Sequence, residues 1–377
     1  MEGTVRKPVV VSAVNIRKGG TLTVLRECLG YLSGRDDLQV TAIVHDRSLC
    51  DFPGIGYIEI PWSVKGWGRR LWCEYHTLGK ISRSMLQEPY LWFSLHDTTP
   101  NVRARHRAVY CHTSFPFLKT IPRDWKMDPK IPLFAHLTKY AYRINVRRND
   151  WLVVQQDWFR DGISSLTGVP KDRIIVAPPQ FKPFPIPSGS VVESGVPVFF
   201  YPSTPDCHKN FETLCEAARI LEGEVGTGRF KVLLTVRGDE NRYAAWLHSK
   251  WGGVGSVEFA GFLPMEDLGR AYAEAACLVF PSRVETWGLP ISEFKATGKP
   301  MLLADLPYSH ETAAGSLRTA FFKATDPREL ASLMKTVMDG GFKPSPVDAA
   351  ACRAGLPYAG GWEQLFDILL YENPSIR

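Results

Sequence analysis

Short apolar runs alternate with stretches of helical spacing through both halves of the chain, and this alternation restricts the fold more than any other feature. The first half opens on "PVVVSAV", turns at "NIRKGG" and continues into "TLTVLRECLGYL", where Leu22, Leu25 and Leu29 share one helical face. "LQVTAIVHD", "LWFSLHD", "RAVYCHTS", "DWLVVQQDWF" and "RIIVAPPQF" follow, each an apolar run that ends in polar or turn residues. Strands buried on both faces of a parallel sheet read this way, with functional loops at their carboxyl ends. The stretch "FKPFPIPSGSVVESGV" is rich in Pro, Ser and Gly and reads as a linker. After it the pattern restarts with "PVFFYPS", the helix "HKNFETLCEAARIL", the strands "FKVLLTVRG" and "SVEFAGFL", and the helix "MEDLGRAYAEA". "CLVFPS", "GLPISEFKATG" and "PMLLAD" then give strand, turn with helix, and strand. The fold class expected is α/β, with two doubly wound, Rossmann-like parallel sheets. The domains read from the pattern are residues 1–180, a linker at 181–196, and residues 197–355. A terminal helical segment at 356–377 has Trp362, Leu365, Phe366 and Leu369 as its packing stripe.

Composition bounds the function class. A chain of 377 residues exceeds one ordinary core, in keeping with two domains. No run of about 20 apolar residues is present, so no membrane-spanning helix is expected. The start "MEGTVRKPVVVSAVN" lacks the apolar segment of a signal peptide. Eight cysteines are scattered without a C-x-x-C pair, as reduced, buried thiols of a cytosolic protein would be. The net charge of +6 is uneven: residues 1–180 carry 26 basic and 16 acidic side chains, the remainder 19 and 23. Basic charge in one half suits an anionic membrane surface, a phosphorylated acceptor or nucleic acid, or is simply an uneven soluble surface. A nicotinamide-dependent oxidoreductase is excluded because "NIRKGG" is not followed by the spaced glycines of the dinucleotide fingerprint.

The stretch "FPSRVETWGLPISE" carries the chemistry. Glu285 and Glu293 flank a Trp-Gly-Leu-Pro turn after a buried strand, and Pro290 suits the first turn of a helix. This places Glu285 in the loop and Glu293 in the helix's first turn. Gly288 lets main chain approach a ligand, and helix-start N–H groups attract anions. Two carboxylates that accept hydroxyl hydrogens beside N–H groups that hold phosphate suit a nucleotide sugar better than a glycosidase pair.

The run from "VEFAGFLPMEDLGRAYAEAACLVFPSRVETWGLPISE" through "FKATGKPMLLADLPYSHE" resembles the donor-binding half of retaining GT-B glycosyltransferases of the GT4 group. Their E-x7-E signature reads here E-TWGLPIS-E, and "YPSTPDCHKNFETLCEAA" is similar to their phosphate-binding loop and helix. The resemblance is close over residues 197–325 and rests on strand order and a few loop residues over 8–180. It implies that Glu285 contacts the donor sugar, Glu293 the ribose and Lys209 the diphosphate. Trp287, Gly288 and Leu289 would offer backbone donors, and Phe262 and Leu263 would line the base pocket. The family pairs its lysine with an arginine about five residues earlier. Thr204 stands there instead, leaving Arg237 and Arg283 as candidate replacements.

Gly19 and Gly20 match the family's glycine-rich loop near donor and acceptor. His112, at the end of "RAVYC", is preferred over His96 as the histidine facing the reacting sugar. Asp97 is either an acceptor-side carboxylate or an Asx-turn residue before Thr98. The chain has no Asp-x-Asp pair for Mg²⁺ or Mn²⁺, so no metal and no cofactor are expected. Trp62, Trp67 and Trp72 among Lys65, Arg69 and Arg70 suit a membrane interface, a polyprenyl-diphosphate surface or a partly buried loop.

The resemblance implies a cytoplasmic, metal-independent, front-face retaining transferase, peripheral on the inner face of the membrane. It would move a hexose-type sugar from a nucleotide-diphosphate sugar to a glycan or polyprenyl-diphosphate-linked acceptor. The products would be O-antigen, capsule or exopolysaccharide, and nucleic acid is not expected as a partner. A non-catalytic nucleotide-sugar or glycan-binding subunit and a GT-B sugar-nucleotide epimerase are the alternatives.

Overall fold

The computed structural model describes residues 6–180, 195–352 and 355–371. Most of the linker read from sequence, residues 181–194, lies outside the described residues. The elements run β1 (Lys7–Ala13), α1 (Gly19–Ser33), β2 (Leu38–Val44), β3 (Gly56–Glu59), α2 (Trp67–Trp72), α3 (Leu78–Ser84), β4 (Leu91–Ser94) and β5 (His106–Tyr110). Next come α4 (Pro122–Met127), α5 (Lys130–Ala141), β6 (Trp151–Val154), α6 (Asp157–Thr167) and β7 (Ile174–Val176). The second series is β8 (Val198–Tyr201), α7 (Phe211–Val225), β9 (Lys231–Leu234), α8 (Arg242–Trp251), β10 (Val257–Phe259), α9 (Met265–Glu274) and β11 (Cys277–Phe280). It ends with α10 (Leu289–Lys295), β12 (Met301–Ala304), α11 (Pro307–Thr312), β13 (Thr319–Phe322), α12 (Pro327–Met338) and α13 (Trp362–Tyr371).

Two parallel sheets result, ordered β3-β2-β1-β4-β5-β6-β7 and β10-β9-β8-β11-β12-β13. Strands such as β4, β6, β11 and β12 are buried at every residue, which is why their sequences are continuous apolar runs instead of alternating ones. Each sheet reverses its strand order once, between β1 and β4 and between β8 and β11. At such a point successive crossovers leave in opposite directions and open a crevice at the strands' carboxyl ends.

The described residues form two compact units that do not follow the chain linearly. One comprises Met1–Thr113, Leu137–Gln180 and Ala354–Arg377, the other Ser114–His136 and Phe181–Arg353. A segment from the first half of the sequence therefore packs with the second sheet, which strand and helix patterning did not reveal. Among the described residues no helix is long and apolar enough to cross a membrane. Cys28, Cys50, Cys73, Cys111, Cys207, Cys215 and Cys277 are buried free thiols.

The stripe on α13 packs onto the first sheet. Phe366 is fully buried, its ring 5.6 Å from Tyr31 and 5.7 Å from Phe93. The preceding segment bonds to β7, with the Ala359 N–H donating to the Val176 carbonyl at 2.9 Å. The C-terminal helix is thus part of the first unit's core. Phe366→Ala is expected to cost about 3–5 kcal/mol, read as a lower urea midpoint with an unchanged m-value.

Candidate active site

In the second unit, β8 and β11 lie side by side at the reversal of strand order; their carboxyl-end loops carry Lys209 and Glu285, and the helix that follows the second loop carries Glu293. After β8 the chain makes a 3-10 turn, Cys207–Lys209, and Asn210 takes a left-handed φ of +58° before α7 begins. Asn210 holds this turn through its amide, which donates to the carbonyls of Pro281 (3.0 Å) and Ala324 (2.7 Å). The hydroxyl of Tyr201, at the end of β8, lies 2.8 Å from the Lys209 carbonyl and 3.0 Å from Ser282 Oγ. The two loops are therefore stitched together before any charged side chain is considered.

Across this seam Lys209 Nζ donates to Glu285 Oε1 at 2.6 Å, with 16% and 13% of the two side chains exposed. Burial, reinforced by the Glu285 charge, holds the Tyr201 and Tyr308 hydroxyls well above the usual phenol range. Gly288 has φ +85°, and a Cβ there would meet Ile291 Cδ1 at 3.2 Å, so the turn requires glycine. The Trp287 indole donates to Ser292 Oγ at 2.9 Å, and its carbonyl accepts from the Thr312 hydroxyl. α10 begins at Leu289 with Pro290 second, as expected. Glu293 is the fifth helical residue and lies beyond the first turn, because Gly288 and not a later residue caps the helix. Its carboxylate accepts from the Tyr272 hydroxyl at 2.5 Å, while burial holds it above the usual carboxylate range against that bond.

The two candidate arginines differ sharply. Arg237, with 69% of its side chain exposed, pairs with Asp239 at 2.9 Å and packs beside Gly261, next to the exposed Phe262 and half-buried Leu263. Arg283 is committed elsewhere. Its guanidinium donates to Asp124 Oδ1 (2.5 Å) and Oδ2 (3.1 Å) and to the Cys207 carbonyl (3.0 Å). Its charge is neutralised by a buried carboxylate that motif reading missed. Asp124's one local signal, "IPRD", marks only a helix start: its side chain accepts from the Ile121 N–H at 2.9 Å. Thr204, in the arginine's place, donates to Asp206 at 2.7 Å.

In the first unit the reversal between β1 and β4 gathers the other candidates. Gly19 has φ +71° at the start of α1, with Gly20 behind it. His96 follows β4 but is fully buried. Its Nε2 lies 3.0 Å from Ser12 Oγ and its Nδ1 3.2 Å from Thr98 Oγ1, while the Thr98 hydroxyl donates to the buried Glu74 at 2.5 Å. Asp97, with φ +70°, does not form a turn toward Thr98. Its Oδ1 accepts from the N–H groups of His112 (2.6 Å) and Thr113 (2.9 Å) and from the Tyr142 hydroxyl (3.0 Å). It thus braces the loop carrying His112, whose ring stacks on Tyr110 at 4.4 Å. Of the tryptophans, Trp67 and Trp72 are exposed and Trp62 packs against the first unit's core.

Residues 196–339, which hold Lys209, Glu285 and Glu293, match the family model described as Glycosyl transferases group 1. The likeness covers the second sheet and somewhat under half of the chain. The chain is also 31% identical over 106 residues to O-antigen chain mannosyltransferase B of Escherichia coli, an alignment covering 28% of each chain. The match therefore spans little more than a quarter of that relative's length. Among solved structures, HepE of Anabaena in complex with UDP and glucose matches with TM-score 0.65 and 13% identity, over 92% of this chain and 94% of its own. WaaG, a glycosyltransferase involved in lipopolysaccharide biosynthesis, matches with TM-score 0.62 and 13% identity over 98% of both chains. Likeness at this identity carries the fold: two Rossmann-like domains of the GT-B type.

Burial pushes His112 down to about 4, against the opposing charge of Asp97. An imidazole with a depressed folded-state pKa stabilises the protein fully above its ordinary value near 6.5, and that stability is lost as pH falls toward 4. Between pH 7 and pH 5, His112→Gln is expected to lose about 2 kcal/mol less stability than wild type, measured by denaturant unfolding at both pH values.

Proposed function

We propose that the chain is a retaining glycosyltransferase that takes its sugar from a nucleotide-diphosphate donor and works in surface-polysaccharide assembly. The observation that carries this reading is the Lys209–Glu285 contact at 2.6 Å, made between residues 76 apart within the matched domain. It places a cation suited to a diphosphate beside a carboxylate suited to sugar hydroxyls, at a strand-order reversal where parallel sheets bind ligands. The UDP and glucose named for HepE, and the mannosyltransferase named from E. coli, support a nucleotide sugar as donor and a glycan product. On this reading Glu293 receives the ribose, the exposed Phe262 the base, and the Trp287–Leu289 main chain the sugar and phosphate.

The bond from the anomeric carbon to the leaving phosphate breaks as the acceptor oxygen bonds to that carbon on the same face. The acceptor's proton passes to the leaving phosphate oxygen. Lys209, an ammonium with three donors, meets the phosphate charge while one N–H stays on Glu285. The absence of an Asp-x-Asp pair from the sequence favours a reaction without metal. With a panel of UDP, GDP and dTDP sugars, at least one donor should raise the melting temperature and support transfer. Glu285→Gln, which keeps an oxygen toward Lys209, should lower transfer about 100-fold or more with the melting temperature nearly unchanged. Wild-type turnover in that variant would refute the role. Donor binding without transfer to any acceptor would instead favour a non-catalytic binding subunit.

The acceptor side of this reading is a lipid-linked glycan at an anionic membrane on the cytoplasmic side. Leu137 and Tyr140 on α5, and Ile144 just past its end, are exposed at helical spacing, flanked by Lys139, Arg143, Arg147 and Arg148. An apolar stripe edged by cations suits the headgroup region of an anionic bilayer. Leu137→Ser with Tyr140→Ser should weaken co-sedimentation with phosphatidylglycerol vesicles several-fold and leave donor binding unchanged. Equal sedimentation of variant and wild type would remove this surface from the proposal.

A further inference from the structure

We infer that Asp124 is a positioning residue for the Lys209–Glu285 pair, acting through Arg283 from a segment outside the matched domain; the inference rests on the donor-site reading above. Arg283 stands two residues before Glu285, and its bonds reach both site loops. Its backbone N–H donates to the His208 carbonyl at 2.8 Å, and its Nη2 donates to the Cys207 carbonyl at 3.0 Å. One arginine thus ties the turn that presents Lys209 to the loop that presents Glu285. The guanidinium is in turn held in plane by both oxygens of Asp124, at 2.5 and 3.1 Å, with a further bond to the Lys119 carbonyl at 3.3 Å. Asp124 is fully buried and only 10% of the Arg283 side chain is exposed, so water offers little substitute for either partner.

The neighbouring contacts point the same way. Arg123, adjacent to Asp124, pairs with the buried Glu212 in the first turn of α7, immediately after the Lys209 turn. Consecutive residues of opposite charge on α4 therefore engage opposite charges on the start of α7, just after the Lys209 turn, and on the Glu285 loop. Ser114 Oγ lies 3.3 Å from the Thr286 hydroxyl, beside Glu285, and Phe115 meets the His208 ring edge-on at 4.9 Å, beside Lys209. A carboxylate serving only to solubilise or to cap α4 would not need burial, two-oxygen contact with an arginine, and a partner bound to both loops. Both Nη groups of Arg283 are taken by Asp124 and by main-chain carbonyls, so its charge is paired before any phosphate arrives.

The test compares wild type with Asp124→Asn, Asp124→Glu and the double variant Asp124→Asn/Arg283→Gln, which leaves no unpaired buried charge and so keeps the question open if the single variant unfolds. Two readouts are used: steady-state transfer with the donor found for wild type, and labelling of Lys209 by acetic anhydride relative to surface lysines, followed by mass spectrometry. Asp124→Asn and the double variant are expected to lower kcat about 10-fold or more and to raise Lys209 labelling at least threefold. Asp124→Glu should recover most of both. Folded variants with wild-type kcat, donor KM and Lys209 labelling would overturn the inference. Raised labelling in a protein for which no nucleotide sugar binds would uphold Asp124's positioning role and remove the donor-site reading instead.

Discussion

Everything proposed for the second unit depends on the reversal of strand order between β8 and β11. A parallel sheet keeps its faces covered by crossover helices, and only where consecutive crossovers depart in opposite directions are two carboxyl-end loops left uncovered side by side. β8 supplies the loop ending in Lys209 and β11 the loop bearing Glu285. Their juxtaposition is a matter of topology first and of side chains second. The Tyr201 hydroxyl, the Asn210 amide and the Arg283 main chain then fix the register between the loops with neutral hydrogen bonds. Such bonds cost little to form because the groups involved would otherwise be buried without partners.

The ion pairs bordering this seam differ in kind. Arg283 and Asp124 form a planar, two-oxygen contact in a closed environment, where both charges have lost their water and geometry is the return on that cost. Lys209 and Glu285 form a single-point contact that keeps some exposure. An ammonium is a compact charge on a flexible stem and can share itself between a carboxylate and an incoming phosphate, whereas a guanidinium fork already filled cannot. The first pair therefore suits a scaffold and the second a binding site, whichever residue is ranked first by motif.

The sequence made the sheets, the Gly288 turn, the start of α10 and the packing stripes of α1 and α13 legible, because each follows from local periodicity or from one residue's backbone freedom. It also brought Lys209 and Glu285 together through family resemblance, which substitutes for a contact that spacing cannot show. It failed where position depends on long-range packing. "FSLHD" reads as a strand end with polar residues, but whether His96 faces outward depends on Ser12, Glu74 and Thr98 gathering behind it. Asp97 reads either as an acceptor-side carboxylate or as a turn residue before Thr98, and neither reading shows that its carboxylate braces the loop fifteen residues on. Residues 114–136 carry no compositional mark of membership in the second unit, since an ion pair such as Asp124–Arg283 spans 159 residues.

The charges around Lys209 also bear on what a diphosphate would meet there. Arg283 is cancelled by Asp124, Lys209 by Glu285, and Arg123 by Glu212, so these three pairs add no net positive charge. The Arg123–Glu212 pair has a second effect. A lone carboxylate in the first turn of α7 would offset the positive end of that helix's dipole beside Lys209. With Arg123 bound to Glu212, that end of the dipole keeps its sign. Thr204, in place of the family's arginine, is therefore not compensated by a spare guanidinium at Arg283. The attraction for phosphate on the proposed reading rests on oriented dipoles, the start of α7 and the main chain around Gly288, with Lys209 as the movable charge among them.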